Sequence, residues 1–159
     1  MKKQNNVFLG TIEHTSPLNP RDALYGGRTN ALKLYHKCTE PGEEIHYIDY
    51  TSLYPYVQKY GVFPTHHPDI ITENFDKKYF GIIKCRILPP CGLYIPVLPV
   101  RIIGKLLFPL CRKCAEEKQT DKCHHTDNER ALEGTWCTLE TDKALEIGYS
   151  LLKIFEVWH

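Results

Sequence analysis

The sequence lacks long apolar runs, and this absence excludes two classes of protein. No run approaches the roughly 20 apolar residues that span a bilayer. Residues 1–6 also lack the apolar core that is typical of a secretory signal. We therefore expect an intracellular protein with no membrane partner. No targeting signal decides between compartments such as the nucleus and a viral replication site.

The sequence also has little net charge. Lys and Arg number 20 against 19 Asp and Glu, which leaves a formal net charge of +1. A free-standing nucleic-acid-binding domain usually carries an excess of basic residues. Any contact with DNA must therefore come from local clusters of charge. The chain has 159 residues, of which 42% are hydrophobic, and this is enough for about one domain with a core.

The pattern of apolar residues predicts an α+β fold. Proline and asparagine in residues 1–24 predict a polar loop, and the prolines of residues 61–69 predict another. Strands are expected where apolar residues alternate, and helices where they recur every three or four residues. The predicted strands are 45–50, 83–88, 98–108 and 151–158, and the predicted helices are 52–60 and 139–149.

Asp49 lies near the end of the first predicted strand, and a helix is expected to begin directly after it. A carboxylate there can coordinate a hard cation such as Mg²⁺, while backbone N–H groups at the helix N-terminus face phosphate oxygens. An aspartate at a strand end is also commonly a helix cap or a salt-bridge partner. Spacing alone leaves these alternatives open.

The order of residues around Asp49 resembles motif A of family B DNA polymerases. That motif is an aspartate, two variable residues and Ser-Leu-Tyr-Pro, and residues 49–55 read Asp-Tyr-Thr-Ser-Leu-Tyr-Pro. About two dozen residues upstream, residues 25–27 resemble the Tyr-x-Gly-Gly element of the protein-primed members. From about residue 21 onward the chain is similar to the polymerases of large self-replicating DNA transposons and related viruses. The resemblance implies a DNA-directed DNA polymerase, and the fold it implies is a partial palm of antiparallel strands with helices on one face.

The resemblance assigns roles to the residues of motif A. Asp49 would bind both catalytic divalent cations, Mg²⁺ or Mn²⁺, and the backbone carbonyl of Tyr50 would be a further metal contact. The backbone amides of Ser52 and Leu53 would contact the incoming deoxynucleoside triphosphate. Tyr54 would pack against the deoxyribose and exclude ribonucleotides as a steric gate.

The upstream element is expected to contact DNA. By resemblance, Tyr25, Gly26, Gly27 and Arg28 would hold the template strand and balance synthesis against proofreading. The implied partners are template and primer DNA, deoxynucleoside triphosphates and a priming terminal protein. The implied division of the chain is an N-terminal extension at 1–24, a palm segment at 25–60 and an irregular insertion at 61–159.

Several parts of the family pattern are missing from these 159 residues. Two-metal phosphoryl transfer needs a second palm carboxylate, which the family places in a downstream Asp-Thr-Asp element. The sequence has no such triplet, no lysine-bearing finger helix and no proofreading exonuclease. We therefore expect a fragment of a polymerase that is inactive alone. A decayed relic of a mobile element is a further interpretation.

Four of the seven cysteines lie between Cys111 and Cys137. Cys111 and Cys114 form a Cys-x₂-Cys knuckle, and Cys123 and His125 follow after eight residues. Thiolates and imidazole are the ligands that Zn²⁺ prefers, so this loop predicts a structural zinc site. The alternatives are free thiols on a lysine-rich loop or, for the whole chain, a non-catalytic zinc-stabilised module that binds nucleic acid or protein.

The other cysteines and the two tryptophans are expected to be structural. Cys38, Cys85 and Cys91 are interpreted as small buried hydrophobic residues or incidental thiols rather than ligands. Trp136 and Trp158 are predicted to fill the core.

Overall fold

The computed structural model describes residues 16–75 and 78–159, and these residues form two compact units. One unit is Gly26–His67, and the other contains the described residues of 16–25 and 68–159. Helices and antiparallel strands are both present, which confirms the α+β class. No helix in the described part of the chain is long and apolar enough to cross a membrane.

The larger unit is built on a four-stranded antiparallel sheet. Its strands are β1 (Ile70–Ile71), β2 (Ile82–Leu88), β5 (Leu132–Cys137) and β6 (Ser150–Trp158), in the order β1-β6-β2-β5. This sheet lies within the region 61–159, which the sequence predicted to be an irregular insertion. The predicted strands at 83–88 and 151–158 are confirmed, whereas β5 was not predicted.

Alternation along the central strand places its apolar face on the core. Ile83, Cys85 and Ile87 are buried, and the residues between them are partly exposed. The strand ends at Pro89, because proline has no N–H to donate to the ladder. Trp136 is fully buried as predicted, and its indole N–H donates to the Pro99 carbonyl at 2.8 Å. The rest of the core comprises Leu98, Val100, Leu132, Ala144, Tyr149 and Val157.

The other elements of this unit are short. The predicted extended segment 98–108 is a hairpin of β3 (Val100–Ile102) and β4 (Lys105–Leu107). Ile103 and Gly104 between the strands both have positive φ, 50° and 72°, and two such residues form the turn that matches strand twist. The helices are α2 (Arg112–Glu117), α3 (Asp127–Arg130) and α4 (Thr138–Glu146), of which only α4 was predicted.

The N-terminal segment is more ordered than the predicted polar loop, although residues 1–15 of that prediction lie outside the described residues. Pro20–Ala23 form a 3₁₀ turn. Leu18 and Ala23 are buried, and the Leu18 N–H donates to a carboxylate oxygen of Glu156 at 2.8 Å. This segment therefore packs on the sheet unit.

The unit Gly26–His67 contains one helix, α1 (Leu53–Tyr60), which confirms the prediction for 52–60. The strand predicted at 45–50 is wrong, because the structure assigns no strand there. A strand needs a hydrogen-bonded neighbour, and no strand of the described residues pairs with this segment. Its apolar side chains also lack a core to face, since Ile45, Tyr47 and Ile48 are all exposed.

Candidate functional site

The chain turns sharply between Asp49 and helix α1. Ser52, the residue before the helix, has φ 59° and ψ 29° in the left-handed region. This conformation is uncommon for residues other than glycine and is concentrated at functional sites. The Ser52 carbonyl accepts the Tyr56 N–H at 3.0 Å, which starts the helix. The first N–H groups of the helix have no partner within it and point outward.

The predicted nucleotide-binding residues line one shallow concavity beside this turn. Its volume is about 310 Å³, and it is open to solvent. The turn at Ser52 brings Asp49 and the first residues of helix α1 to the same concavity. Its lining residues are Ile48, Asp49, Tyr50, Ser52, Leu53, Tyr54 and Pro55.

Asp49 is the only carboxylate in that lining. Its side chain is exposed, and it belongs to neither of the groups of potential metal ligands that the described residues form. One carboxylate fits part of the ligand shell of a hard cation but cannot hold two cations. A site for two cations at this concavity would therefore need a further carboxylate besides Asp49.

Tyr25, the first residue of the predicted DNA-contacting element, lies in the sheet unit and is partly buried against its core. The Arg101 guanidinium lies 5.6 Å from the centre of the Tyr25 ring and donates to the Tyr25 carbonyl at 3.3 Å. Desolvation by burial, followed by the charge of Asp22, raises the pKa of the Tyr25 phenol to about 12. The tyrosine therefore stays neutral and is held by Arg101, a residue that the sequence analysis missed.

The glycine pair and the following arginine lie at the start of the smaller unit. Gly26 has φ +86°, which favours glycine, and open space surrounds the position that a Cβ would occupy. Gly27 also has open space around it, without a positive φ. Arg28 is exposed.

The structure brings together the four residues that the sequence predicted as zinc ligands. The ligand atoms of Cys111, Cys114, Cys123 and His125 all lie within 4.8 Å of one another. The imidazole Nδ1 of His125 is 3.5, 3.2 and 3.6 Å from the three sulfur atoms, in that order. Cys111 precedes helix α2 and its sulfur accepts the Cys114 N–H at 3.4 Å, which sets the spacing of the knuckle.

These distances fit a tetrahedral zinc ion. Zinc binds sulfur at about 2.3 Å and nitrogen at about 2.0 Å, so a tetrahedron places the two ligand atoms roughly 3.5 Å apart. The sulfur to Nδ1 distances of 3.2 to 3.6 Å match that edge. Three thiols and one imidazole also form one of the usual donor sets of structural zinc sites.

A carboxylate lies behind the histidine. Glu117, near the end of α2, places an oxygen 3.4 Å from His125 Nε2. Histidines that bind metal commonly donate their second ring N–H to a carboxylate, which fixes the ring and the tautomer. Glu117 was missed because α2 was not predicted. With that helix known, its position three residues after Cys114 would have placed it on the same face.

The thiols differ in their acidity. Desolvation, followed by hydrogen bonding to Cys111 and Cys123, raises the pKa of Cys114 to about 12. The backbone N–H of His125 lowers the pKa of Cys123 to about 7. Zinc binding requires the loss of the thiol protons, so affinity for zinc should increase with pH.

Comparison with known proteins gives one match. The family model for DNA polymerase type B, organellar and viral, matches residues 2–157, which is nearly the whole chain. Neither the curated proteins nor the solved structures gave a significant match.

Proposed function

Because the chain belongs to the family of organellar and viral type B DNA polymerases, we propose that it is a segment of a protein-primed DNA polymerase. The proposed reaction adds deoxynucleotides to a DNA primer by two-metal phosphoryl transfer. The observation that carries this proposal is the concavity at residues 48–55, where a carboxylate and the start of a helix line one depression.

Each group in this concavity has a proposed role. Asp49 and the Tyr50 carbonyl would hold the divalent cations, Mg²⁺ or Mn²⁺, which would supply neutralisation of charge on the transferred phosphoryl group. The backbone amides of Ser52 and Leu53 bind phosphate oxygens of the triphosphate. The Tyr54 ring, which is 82% exposed, is free to pack against the sugar and reject a 2′-hydroxyl.

The proposed activity needs groups that these 159 residues do not contain. A second carboxylate must share the two cations, and we propose that an Asp-Thr-Asp element outside this segment provides it. The apolar side chains exposed in residues 45–50 are suited to packing against the rest of a palm. The isolated segment is accordingly expected to be inactive in primer extension.

Tyr25, Gly26, Gly27 and Arg28 are proposed to contact the template strand. Arg101 supports this role by holding the Tyr25 ring and its carbonyl. A cleft of about 540 Å³ opens beside Tyr25 in the sheet unit and is lined by four cationic side chains. The same cleft is also lined by Asp22, Glu116 and Glu133, so the groups that suit the phosphates and bases of single-stranded DNA are the individual cations beside the Tyr25 ring rather than a uniformly basic surface. The cationic residues of the cleft are Arg21, Lys84, Arg101 and Arg112.

Substitution of Asp49 tests the catalytic proposal. In a polymerase chain that contains this segment and the Asp-Thr-Asp element, Asp49→Ala should reduce primer extension at least about a thousand-fold. Binding of template and primer should change by less than about two-fold, because Asp49 touches the cations rather than the DNA. Glu44→Ala, which removes another exposed carboxylate of the same unit, is the matched control. Extension that survives Asp49→Ala would refute the assignment.

The second candidate function is that of a zinc-stabilised binding module, and the cluster at residues 111–125 favours it. We propose that the cluster holds one structural Zn²⁺ in either case. The two functions differ in how much of the fold depends on the metal. A zinc module should lose its whole fold on chelation, whereas a polymerase segment with a separate sheet core should lose only the loop.

A further inference from the structure

A second group of potential metal ligands lies in the smaller unit. The ligand atoms of His36, Cys38 and Glu43 all lie within 4.8 Å of one another. His36 Nε2 is 2.7 Å from Glu43 Oε1. The group is separate from the cluster at 111–125 and from the concavity around Asp49.

The burial pattern of the unit points to this group. The structure describes every residue of Gly26–His67, and only Cys38 and Glu43 among them are partly shielded from solvent. The large apolar side chains of the unit are exposed instead, including Leu34, Tyr47 and Val62. The two most shielded residues of this unit are therefore potential metal ligands rather than hydrophobic residues, and the third ligand, His36, is exposed.

The Glu43 carboxylate is held in one orientation by the backbone. Its Oε2 accepts the Thr39 N–H at 2.9 Å and the Glu40 N–H at 3.4 Å. The Glu43 N–H in turn donates to the Glu40 carbonyl at 3.1 Å, which closes the turn. The second oxygen, Oε1, therefore faces His36, so the oxygen and nitrogen ligands are positioned before any ion binds.

A hydrogen bond that closes a loop is the simpler explanation for two members of the group. The contact between His36 and Glu43 would serve that purpose without a metal. It does not account for Cys38, whose half-buried thiol lies beside an imidazole and a carboxylate in a unit that buries no apolar side chain. Sulfur, nitrogen and oxygen donors in this combination are a ligand set that zinc accepts.

We propose that His36, Cys38 and Glu43 form a second divalent metal site of the zinc class, with three protein ligands and a fourth position for water. This reverses the expectation from sequence that Cys38 is not a ligand. Binding requires an unprotonated ring nitrogen of His36 facing the ion and loss of the Cys38 thiol proton, which passes to solvent. Nitrogen and oxygen ligands of one zinc ion lie roughly 3.3 Å apart, so these two atoms must separate by about half an ångström.

The site would stabilise a segment that has few other interactions. Its ligands span residues 36–43, six residues before Asp49, in a stretch without helix or strand. A metal ion stabilises a folded segment when the hydrophobic core is small, because binding is linked to folding. An ion at this position would therefore order the chain that leads to Asp49.

Metal titration of the 159-residue chain tests the proposal. The metal-free protein is titrated with Co²⁺, whose absorption reports thiolate ligands, and bound Zn²⁺ is counted separately by elemental analysis. We expect two ions per chain. Cys38→Ser and His36→Ala should each reduce the count to one and leave the three-thiolate absorption of the cluster at 111–125 unchanged. Cys91→Ser removes an exposed thiol outside both groups and should leave the count at two.

Two results would overturn the proposal: one ion per wild-type chain, or two ions in both Cys38→Ser and His36→Ala. The absorption of the three-thiolate site provides an internal check that each variant is folded. Should Cys38→Ser disturb that absorption, His36→Ala, which retains all seven thiols, decides the count. The proposal does not depend on polymerase activity, so neither result alters the expectation for Asp49.

Discussion

The two units of this chain differ in how they are stabilised. The sheet unit buries Trp136, Ile87, Leu132 and other large side chains completely. The unit Gly26–His67 buries no apolar residue and contains one helix of eight residues. The residues that resemble motif A nevertheless lie in Gly26–His67, whereas the four-stranded sheet and the hydrophobic core lie in the other unit.

This difference separates the signals for function from the signals for stability. The motif proposed to be catalytic consists of specific residues at a turn, and such residues can be identified from sequence even where the segment has no core. A sheet requires apolar alternation, which many sequences satisfy. We therefore expect substitutions in the sheet unit to affect folding and substitutions at residues 48–55 to affect activity, with little overlap.

The largest expected effect on stability is that of Trp136→Ala. Removal of a fully buried indole that also donates a hydrogen bond should lower the free energy of unfolding by about 3–5 kcal/mol. Tyr47→Ala removes an aromatic side chain that is 94% exposed. This substitution should change the free energy of unfolding by less than about 0.5 kcal/mol. Urea denaturation followed by tryptophan fluorescence and circular dichroism measures both. Equal losses would mean that the two units depend on one core.

Zinc removal should have the next largest effect. Zinc at a thousand-fold excess over its dissociation constant stabilises the folded state by about 4 kcal/mol. Chelation should increase hydrogen exchange in residues 111–126 and leave strand β2 protected, because its core residues are separate from the ligands. Cys114→Ser should reproduce the effect, and Cys91→Ser should not. Loss of protection in β2 would favour the zinc module over the polymerase segment.

The sequence predicted the parts of the structure that depend on local pattern. Strand β2 alternates strongly, β6 is a run rich in apolar residues, Pro55 suits the first turn of α1, and α4 shows helical spacing, so all four were anticipated. The four zinc ligands were anticipated as well, because the Cys-x₂-Cys spacing constrains two ligands to one turn. In each of these cases the informative residues are close together in the chain.

Predictions failed where distant residues decide the outcome. The segment 45–50 alternates like a strand, but it has no strand beside it, and periodicity cannot reveal the absence of a partner. Strand β5 was missed because Gly134 interrupts its pattern, although its pairing with β2 runs over six residues. Arg101 was missed because it meets Tyr25 across 76 residues of sequence, and no local pattern reveals such a contact.

Glu117→Gln should have a smaller effect than loss of a ligand. Without the carboxylate behind His125, affinity for zinc should fall about 10- to 100-fold, as is typical of partners behind metal ligands. Glu116→Gln is the matched control, because Glu116 pairs with Arg112 at 2.8 Å instead. Competition with a chromogenic chelator measures the zinc dissociation constant of each variant. Equal affinities for the two variants would remove Glu117 from the site.

The smallest expected effect tests whether the backbone at the start of Gly26–His67 is fixed. Gly26→Ala should cost about 1 kcal/mol, because φ +86° is unfavourable for alanine while the space for a Cβ is open. Gly27→Ala has the same open space without a positive φ, and should be neutral or slightly stabilising. The pair therefore isolates conformation from packing, and urea denaturation measures the difference. If Gly26→Ala leaves the free energy of unfolding unchanged, the backbone after Tyr25 adapts to the new side chain. The two units would then differ in the rigidity of their backbone as well as in the burial of their side chains.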